Sequence, residues 1–334
     1  MSKRPPLKEI AAMTGLSLST ISRAFSGSEN ISYSTKKKIE HAVNEYYGNL
    51  NNPQSGKIGL IIPDIQNQFF PLLLLGIENV ASSSNYTLLL SNSNGSSKQE
   101  DKLLQQMIDL GVDGVIFVSS GSASDFVNQI IDSKIIPLVF LDRDPGLSNI
   151  NYVTTENFNG MYQATRYLLT LQHSNILFLG GTENTSTNKE RLEGFTRAMH
   201  DAGHEVSERN IVYADFDFRK GYEVIKNMLD SQEFDYTAVL AANDLMALGA
   251  IKALNEKHIS IPEDISVIGY DDIPVAEFVG LTTVHQPFSD MGRRAMYQLL
   301  ALIQDSSFLP KKIVLPTSIV FRNSCALPSS FKRP

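Results

Sequence analysis

The chain has no tryptophan and only one cysteine, Cys325, in 334 residues. A lone thiol excludes an intrachain disulfide and fits a reducing, cytoplasmic setting. No run of 18 apolar residues occurs, so no membrane span is expected. The start, Met-Ser-Lys-Arg-Pro-Pro, is basic but has no apolar stretch behind it, and we expect no signal peptide there. There is no G-x-G-x-x-G, P-loop, H-E-x-x-H or G-x-S-x-G pattern, so catalysis has no visible seat and no cofactor is expected. His200 and His204 have metal-pair spacing, but Gly203 reads as a helix end between them, so no metal site is assigned. No repeat of 20–50 residues is present. A hydrophobic share of 42% is that of an ordinary globular chain, and the length suffices for two or three domains.

The first fifty residues are the most informative. Ile10 and Ala11 follow Leu7 at three and four residues, giving a short amphipathic helix. Gly15 sits where the chain must turn. Ser17 is placed to cap a second helix whose inner face is Ile21, Ala24 and Phe25. Leu18, Ser19, Ser22 and Arg23 remain outside, as on the second helix of a helix-turn-helix that enters the major groove. On spacing alone, an ordinary helical hairpin explains the pattern equally well. Charge separates the two readings. Residues 1–50 carry seven Lys/Arg against four acids, a net of +3, while the whole chain is −7, which leaves −10 on residues 51–334. A basic head on an acidic body suits a polyanion bound at one end.

This segment resembles the headpiece of the lactose-repressor family of bacterial transcription regulators. The likeness continues through Asn30-Ile31-Ser32, where Ser32 would cap a third helix to about residue 47. It implies base reading by Leu18, Ser19 and Arg23, with Thr20 and Ser22 holding phosphates or the helix itself.

Residues 48–57 break all periodicity and read as a linker. Beyond them, short apolar runs at 58–62, 86–91, 114–118, 138–141, 176–179, 211–213, 238–241 and 266–269 alternate with helical patterns. Such alternation implies parallel sheets buried on both faces, in two lobes with a cleft at the strand carboxyl ends. Residues 58–325 resemble the periplasmic sugar-binding fold that the family uses as its effector and dimerisation domain. The resemblance places lobe crossings near Thr155, His285 and Pro316. It puts 58–155 and 286–315 in an N-lobe, 156–284 and 317–325 in a C-lobe, and 326–334 in a tail. The apolar stretch 71–84, with Leu72–Leu75, resembles the family's dimer surface.

Polar residues gather where strands end. Carboxylates and amides pair with sugar hydroxyls, an arginine forks across two oxygens, and aromatic rings pack on C–H faces. The set Asn67, Phe69, Phe70, Asp142, Arg143, Arg191, Phe216, Asn243, Asp271 and Gln286 resembles a ribose-binding site. A lone Asp at a strand end is more often a helix cap, and Asp244 is left out on that ground. Phosphate would sit poorly beside Asp142 and Asp271, so a free sugar is expected. A purine effector is the rival within the family, and a ribose-binding module without DNA binding is the rival outside it.

The linker departs from the family pattern. Residues 48–57 lack the Ala-Arg pair of a hinge helix, and Gly48, Pro53 and Gly56 disfavour one, leaving Leu50 as the one apolar wedge. A shorter, stiffer connection with little central bend in the DNA is the expectation. Pro6 stands where the family has a capping Ser or Thr. The whole reads as a cytoplasmic homodimeric repressor that binds double-stranded operator DNA under control of D-ribose.

Overall fold

The computed structural model describes residues 7–25, 31–32, 35–36, 38–39, 41–43, 56–305 and 309–328. Contacts divide the chain into two units, 1–56 and 57–334. Pro6 and most of the 48–57 linker lie outside the described residues.

The first unit is helical. Helix α1 spans Leu7–Thr14 and α2 spans Leu18–Phe25. Gly15 joins them at φ +65°, a left-handed value that costs glycine nothing. Ser17 caps α2 by accepting the Thr20 N–H at 3.2 Å, and Ser32 accepts the Thr35 N–H at 3.2 Å. Ile10, Ile21, Ile39 and Ala42 form the core. Ile10 and Ile21 are fully buried, so this small core is apolar on its inner side as the spacing requires.

The second unit holds two six-stranded sheets. Its first lobe contains β1 (Gly56–Ile62), α3 (Phe69–Ser83), β2 (Tyr86–Asn92), α4 (Ser97–Asp109), β3 (Gly114–Phe117), α5 (Asp125–Asp132), β4 (Leu138–Leu141) and β5 (Asn151–Thr155). The chain then enters the second lobe with α6 (Asn157–Thr170), β6 (Ile176–Gly180), α7 (Ser186–Asp201), β7 (Ile211–Tyr213), α8 (Phe218–Asp230), β8 (Ala238–Ala241), α9 (Asp244–Glu256), β9 (Ser266–Asp271), α10 (Pro274–Phe278) and β10 (Thr282–His285). Helix α11 (Phe288–Gln304) and β11 (Lys312–Leu315) return to the first lobe, and β12 (Ser318–Val320) completes the second. The strand orders are β11-β5-β4-β3-β1-β2 and β12-β10-β9-β8-β6-β7.

Strand alternation sorts the side chains. Ile58, Leu60 and Ile62 face a layer formed by α3 and α11, whereas Ile61 faces α4 and α5. In the second lobe, one continuous core joins β6, β8 and β9 to helices on both faces. Parallel pairing runs through β6, β8, β9 and β10, and only β12 is antiparallel to its neighbour β10. The parallel strands of each lobe therefore deliver their carboxyl ends to one side.

Helices α3 and α11 approach closely at two glycines. A Cβ on Gly292 would lie 2.3 Å from the Leu73 carbonyl oxygen, and one on Gly76 would lie 2.3 Å from the Ser289 oxygen. Gly292→Ala should therefore destabilise the chain by about 1–3 kcal/mol in urea unfolding. A free helix would respond in the opposite sense, gaining up to about 1 kcal/mol.

Candidate functional site

At the strand ends, ten residues line one pocket. Asn67, Phe69 and Phe70 come from the β1–α3 junction, Asp142 and Arg143 from the end of β4, and Asp271 from the end of β9. Thr187 and Arg191 lie on α7, Phe216 follows β7, and Asn243 follows β8. Nine of the ten residues expected at the cleft are thus brought together. Gln286 is not among the lining residues. It is fully buried, donates from Nε2 to Asp271 Oδ1 at 2.7 Å, and accepts from Thr155 Oγ1 at 2.6 Å. Its amide is spent on Asp271 and on the first lobe crossing.

Three of these residues have left-handed backbones: Asp142 at φ +68°, Phe216 at +61° and Asp271 at +112°. Such angles are disfavoured for residues with a Cβ and persist only where neighbours enforce them. The Asp142 carbonyl is held by Tyr152 Oη at 3.0 Å and Thr154 Oγ1 at 2.9 Å. The Phe216 ring occupies space that only a glycine at 181 leaves open, since a Cβ there would come within 2.2 Å of it.

The cavity is charged, and its ionic side chains are buried. Asp142 Oδ2 is 3.7 Å from Arg143 Nε, and Asp271 Oδ1 is 3.7 Å from Arg191 Nη1. Asp142 Oδ1 and Arg143 Nε have no hydrogen-bond partner, although both are buried. Leaving such groups unpaired is costly, so both are primed for a polar ligand. Burial pushes the Asp142 carboxyl up, and the two arginines pull it partly back. Burial likewise lowers the Arg143 guanidinium, against the opposing pull of Asp142 and Glu100. The Arg143 Cζ lies 5.9 Å from the Phe70 ring centre and 5.5 Å from that of Phe216. The site therefore presents an acceptor and a donor side by side, with aromatic surface on both flanks.

Sequence reasoning missed three contributors. Helix α7 begins at Ser186, although the polar run Ser186-Thr187-Asn188 resembles a loop in sequence. Arg191 therefore sits within the helix, and Thr187, one turn earlier, shares its face. Tyr270 stacks under Arg191 at 3.7 Å, and Asn157 accepts from Arg191 Nε at 2.9 Å. The i, i+4 spacing of Thr187 and Arg191 was the available signal for the first.

The second candidate surface is on α2. Leu18, Ser19, Ser22 and Arg23 are exposed and Thr20 is half-buried, while Ile21 points inward. The Ser17 hydroxyl bridges to those of Ser19 and Thr20, each at 2.8 Å, tying one proposed base-reading residue and one proposed phosphate contact to the cap. Among the described residues, no group of three metal-ligating side chains occurs, and no helix is long and apolar enough to cross a membrane.

A helical headpiece joined to a two-lobed α/β domain with a charged interlobe cavity defines a ligand-controlled DNA-binding protein. Residues 6–47 match the family described as bacterial regulatory proteins, lacI family, and residues 55–320 match periplasmic binding proteins and the sugar binding domain of that family. The chain belongs to the LacI family of transcription regulators. It is 32% identical to the HTH-type transcriptional regulator DegA of Bacillus subtilis (strain 168), over 95% of this chain and 96% of that one. It is 31% identical to the HTH-type transcriptional repressor PurR of Pasteurella multocida (strain Pm70), over 95% and 98%. A LacI family transcriptional regulator from Enterococcus faecium, solved with bound ribose, superposes with a TM-score of 0.71 at 31% identity, over 81% of this chain and 99% of that one. A complex of the regulator CelR with cellobiose gives 0.74 at 30% identity, over 96% and 100%. These relatives are transcription regulators, not enzymes, and the chain is a ligand-responsive, DNA-binding repressor of this family.

Burial pushes the Asp271 carboxyl up to about 7, against the pull of Arg191 and Gln286. The folded chain thus keeps a proton that the unfolded chain releases near 3.8. Stability from this group is full below that lower value and is lost as pH rises through about 7. Denaturant midpoints of the ligand-free chain should fall between about pH 4 and pH 7, and Asp271→Asn should remove that part of the slope.

Proposed function

We propose that this chain is a homodimeric cytoplasmic repressor released from its operator by D-ribose. The observation that carries the effector is the unpartnered pair Asp142 Oδ1 and Arg143 Nε in a cavity flanked by Phe70 and Phe216. A vicinal diol answers both at once, because each hydroxyl donates to a carboxylate and accepts from a guanidinium. The apolar C–H face of the ring packs on the phenyl groups. The ribose-bound relative from Enterococcus faecium supports the same reading.

Ribose would bridge the lobes through Asp142 and Arg143 on one side and Arg191 and Asp271 on the other. Operator reading would fall to Leu18, Ser19 and Arg23, with Thr20 and Ser22 on phosphates or the helix, and Lys side chains supplying salt-dependent affinity. Dimerisation would use the face of α3, where Leu75 is 59% exposed beside half-buried Leu72 and Leu74. Ligand and operator then change each other's affinity by the same factor.

Calorimetric titration of the full chain with D-ribose, hypoxanthine, ribose 5-phosphate and glucose tests the effector. Saturable ribose binding that is lost in Asp271→Ala supports the reading, and binding of hypoxanthine alone replaces it with a purine-controlled regulator. In gel shifts on a selected operator, Arg23→Ala should lose about 1–3 kcal/mol and relax specificity at one base. An unchanged shift would leave a sugar-binding module without operator reading.

A further inference from the structure

The structure assigns to Asp244 the task of holding Asp271 in the strained backbone that turns its carboxylate into the cavity, so Asp244 is a positioning residue for effector binding. Asp244 is not the helix cap that its place after β8 implies. The cap is Asn243, whose side chain accepts the Met246 N–H at 2.9 Å and donates to the Phe216 carbonyl at 3.2 Å. Asp244 is the first residue of α9 and is fully buried. Its Oδ2 accepts the Ile273 N–H at 2.9 Å, and its Oδ1 meets Thr283 Oγ1 at 2.5 Å. One side chain thereby ties the start of α9 to β10 and to the residue two places beyond Asp271.

The segment it ties is the one that needs tying. Asp271 and Asp272 are consecutive left-handed residues, at φ +112° and +65°. Neither is a glycine, so the backbone leaves β9 against its own preference. Capturing the Ile273 N–H fixes the far end of that turn, and the sheet fixes the near end, where β9 pairs with β10. The fold also reserves room for the carboxyl. A Cβ on Gly269 would lie 2.1 Å from Asp244 Oδ1. Burial, with Asp271 and Asp272 nearby, pushes the Asp244 carboxyl well up, so a neutral amide of the same shape should do most of its work.

The assignment rests on the ribose reading for one readout and is independent of it for another. Asp244→Ala should weaken ribose binding by about tenfold or more, and Asp244→Asn, which restores an acceptor for the Ile273 N–H, should recover most of the loss. A cycle with Asp271→Asn, titrated at millimolar ribose, separates positioning from general loosening. If Asp244 acts through Asp271, the double variant binds within about threefold of Asp271→Asn alone, and losses that multiply overturn the assignment. Hydrogen exchange in the ligand-free chain needs no sugar. The Ile273 amide should exchange about tenfold faster in Asp244→Ala, and an unchanged rate overturns the assignment. If Asp244→Ala does not fold, Thr283→Val removes one anchor and keeps the carboxyl. It should weaken ribose by about threefold without adding to Asp271→Asn, and full affinity in that variant overturns the assignment. Wild-type silence toward ribose would remove the sugar reading and leave the exchange rates to decide on Asp244.

Discussion

The structure is organised around the cost of keeping two carboxylates and two guanidiniums out of water between its lobes. Each ion would be expensive alone, and the pairs Asp142–Arg143 and Asp271–Arg191 are near enough to offset part of that cost. Neither pair is closed at hydrogen-bond distance. Parallel strands make the arrangement possible, because they bring residues from β4, β9 and the helices that follow to one level. The left-handed backbones of Asp142, Phe216 and Asp271 are where the chain departs from ideal geometry to aim those groups.

The hydrogen bonds around the cavity run outward into the crossings. Gln286, at the second crossing, joins Asp271 to Thr155 at the first. Asn157, just past that first crossing, takes Arg191 Nε. Asp271 and Arg191 are therefore bonded directly to the segments that cross between the lobes. Such shared bonds link the cavity to the connections between the lobes.

Much of this was legible in the sequence, and the failures have definite causes. Continuous apolar runs marked most strands, since a strand buried on both faces has no polar positions to blur it. The strand Asn151–Thr155 escaped because its five residues are largely polar, yet all are buried. The hydroxyls of Thr154 and Thr155 are paid for internally, by the Asp142 carbonyl and by Gln286. β11 and β12 are short edge strands with too little pattern to separate from loop. Nine cavity residues were named by resemblance; of these Asn67, Asp142, Asn243 and Asp271 lie at or just past strand ends, where polarity is conspicuous, whereas Arg191 lies within α7 and the phenylalanines carry no polar signal. Gln286 looked the same from its position, and only its partners show that it serves Asp271. Asn243 and Asp244 are adjacent and chemically alike, so which one caps the helix was decided by backbone direction.

The three crossings between lobes also set an order of assembly. Neither lobe is a continuous stretch of chain. As the polypeptide leaves the ribosome, β1 to β5 emerge early, but α11, which covers one face of their sheet, comes about 130 residues after β5. Until then the apolar row Ile58, Leu60 and Ile62 lacks part of its cover, and β5 waits for its edge partner β11. The second lobe must be largely synthesised before the first can finish folding. Contacts this distant in sequence make folding slow, and the half-built sheet is the interval in which a nascent chain is most exposed to aggregation or to capture by a chaperone.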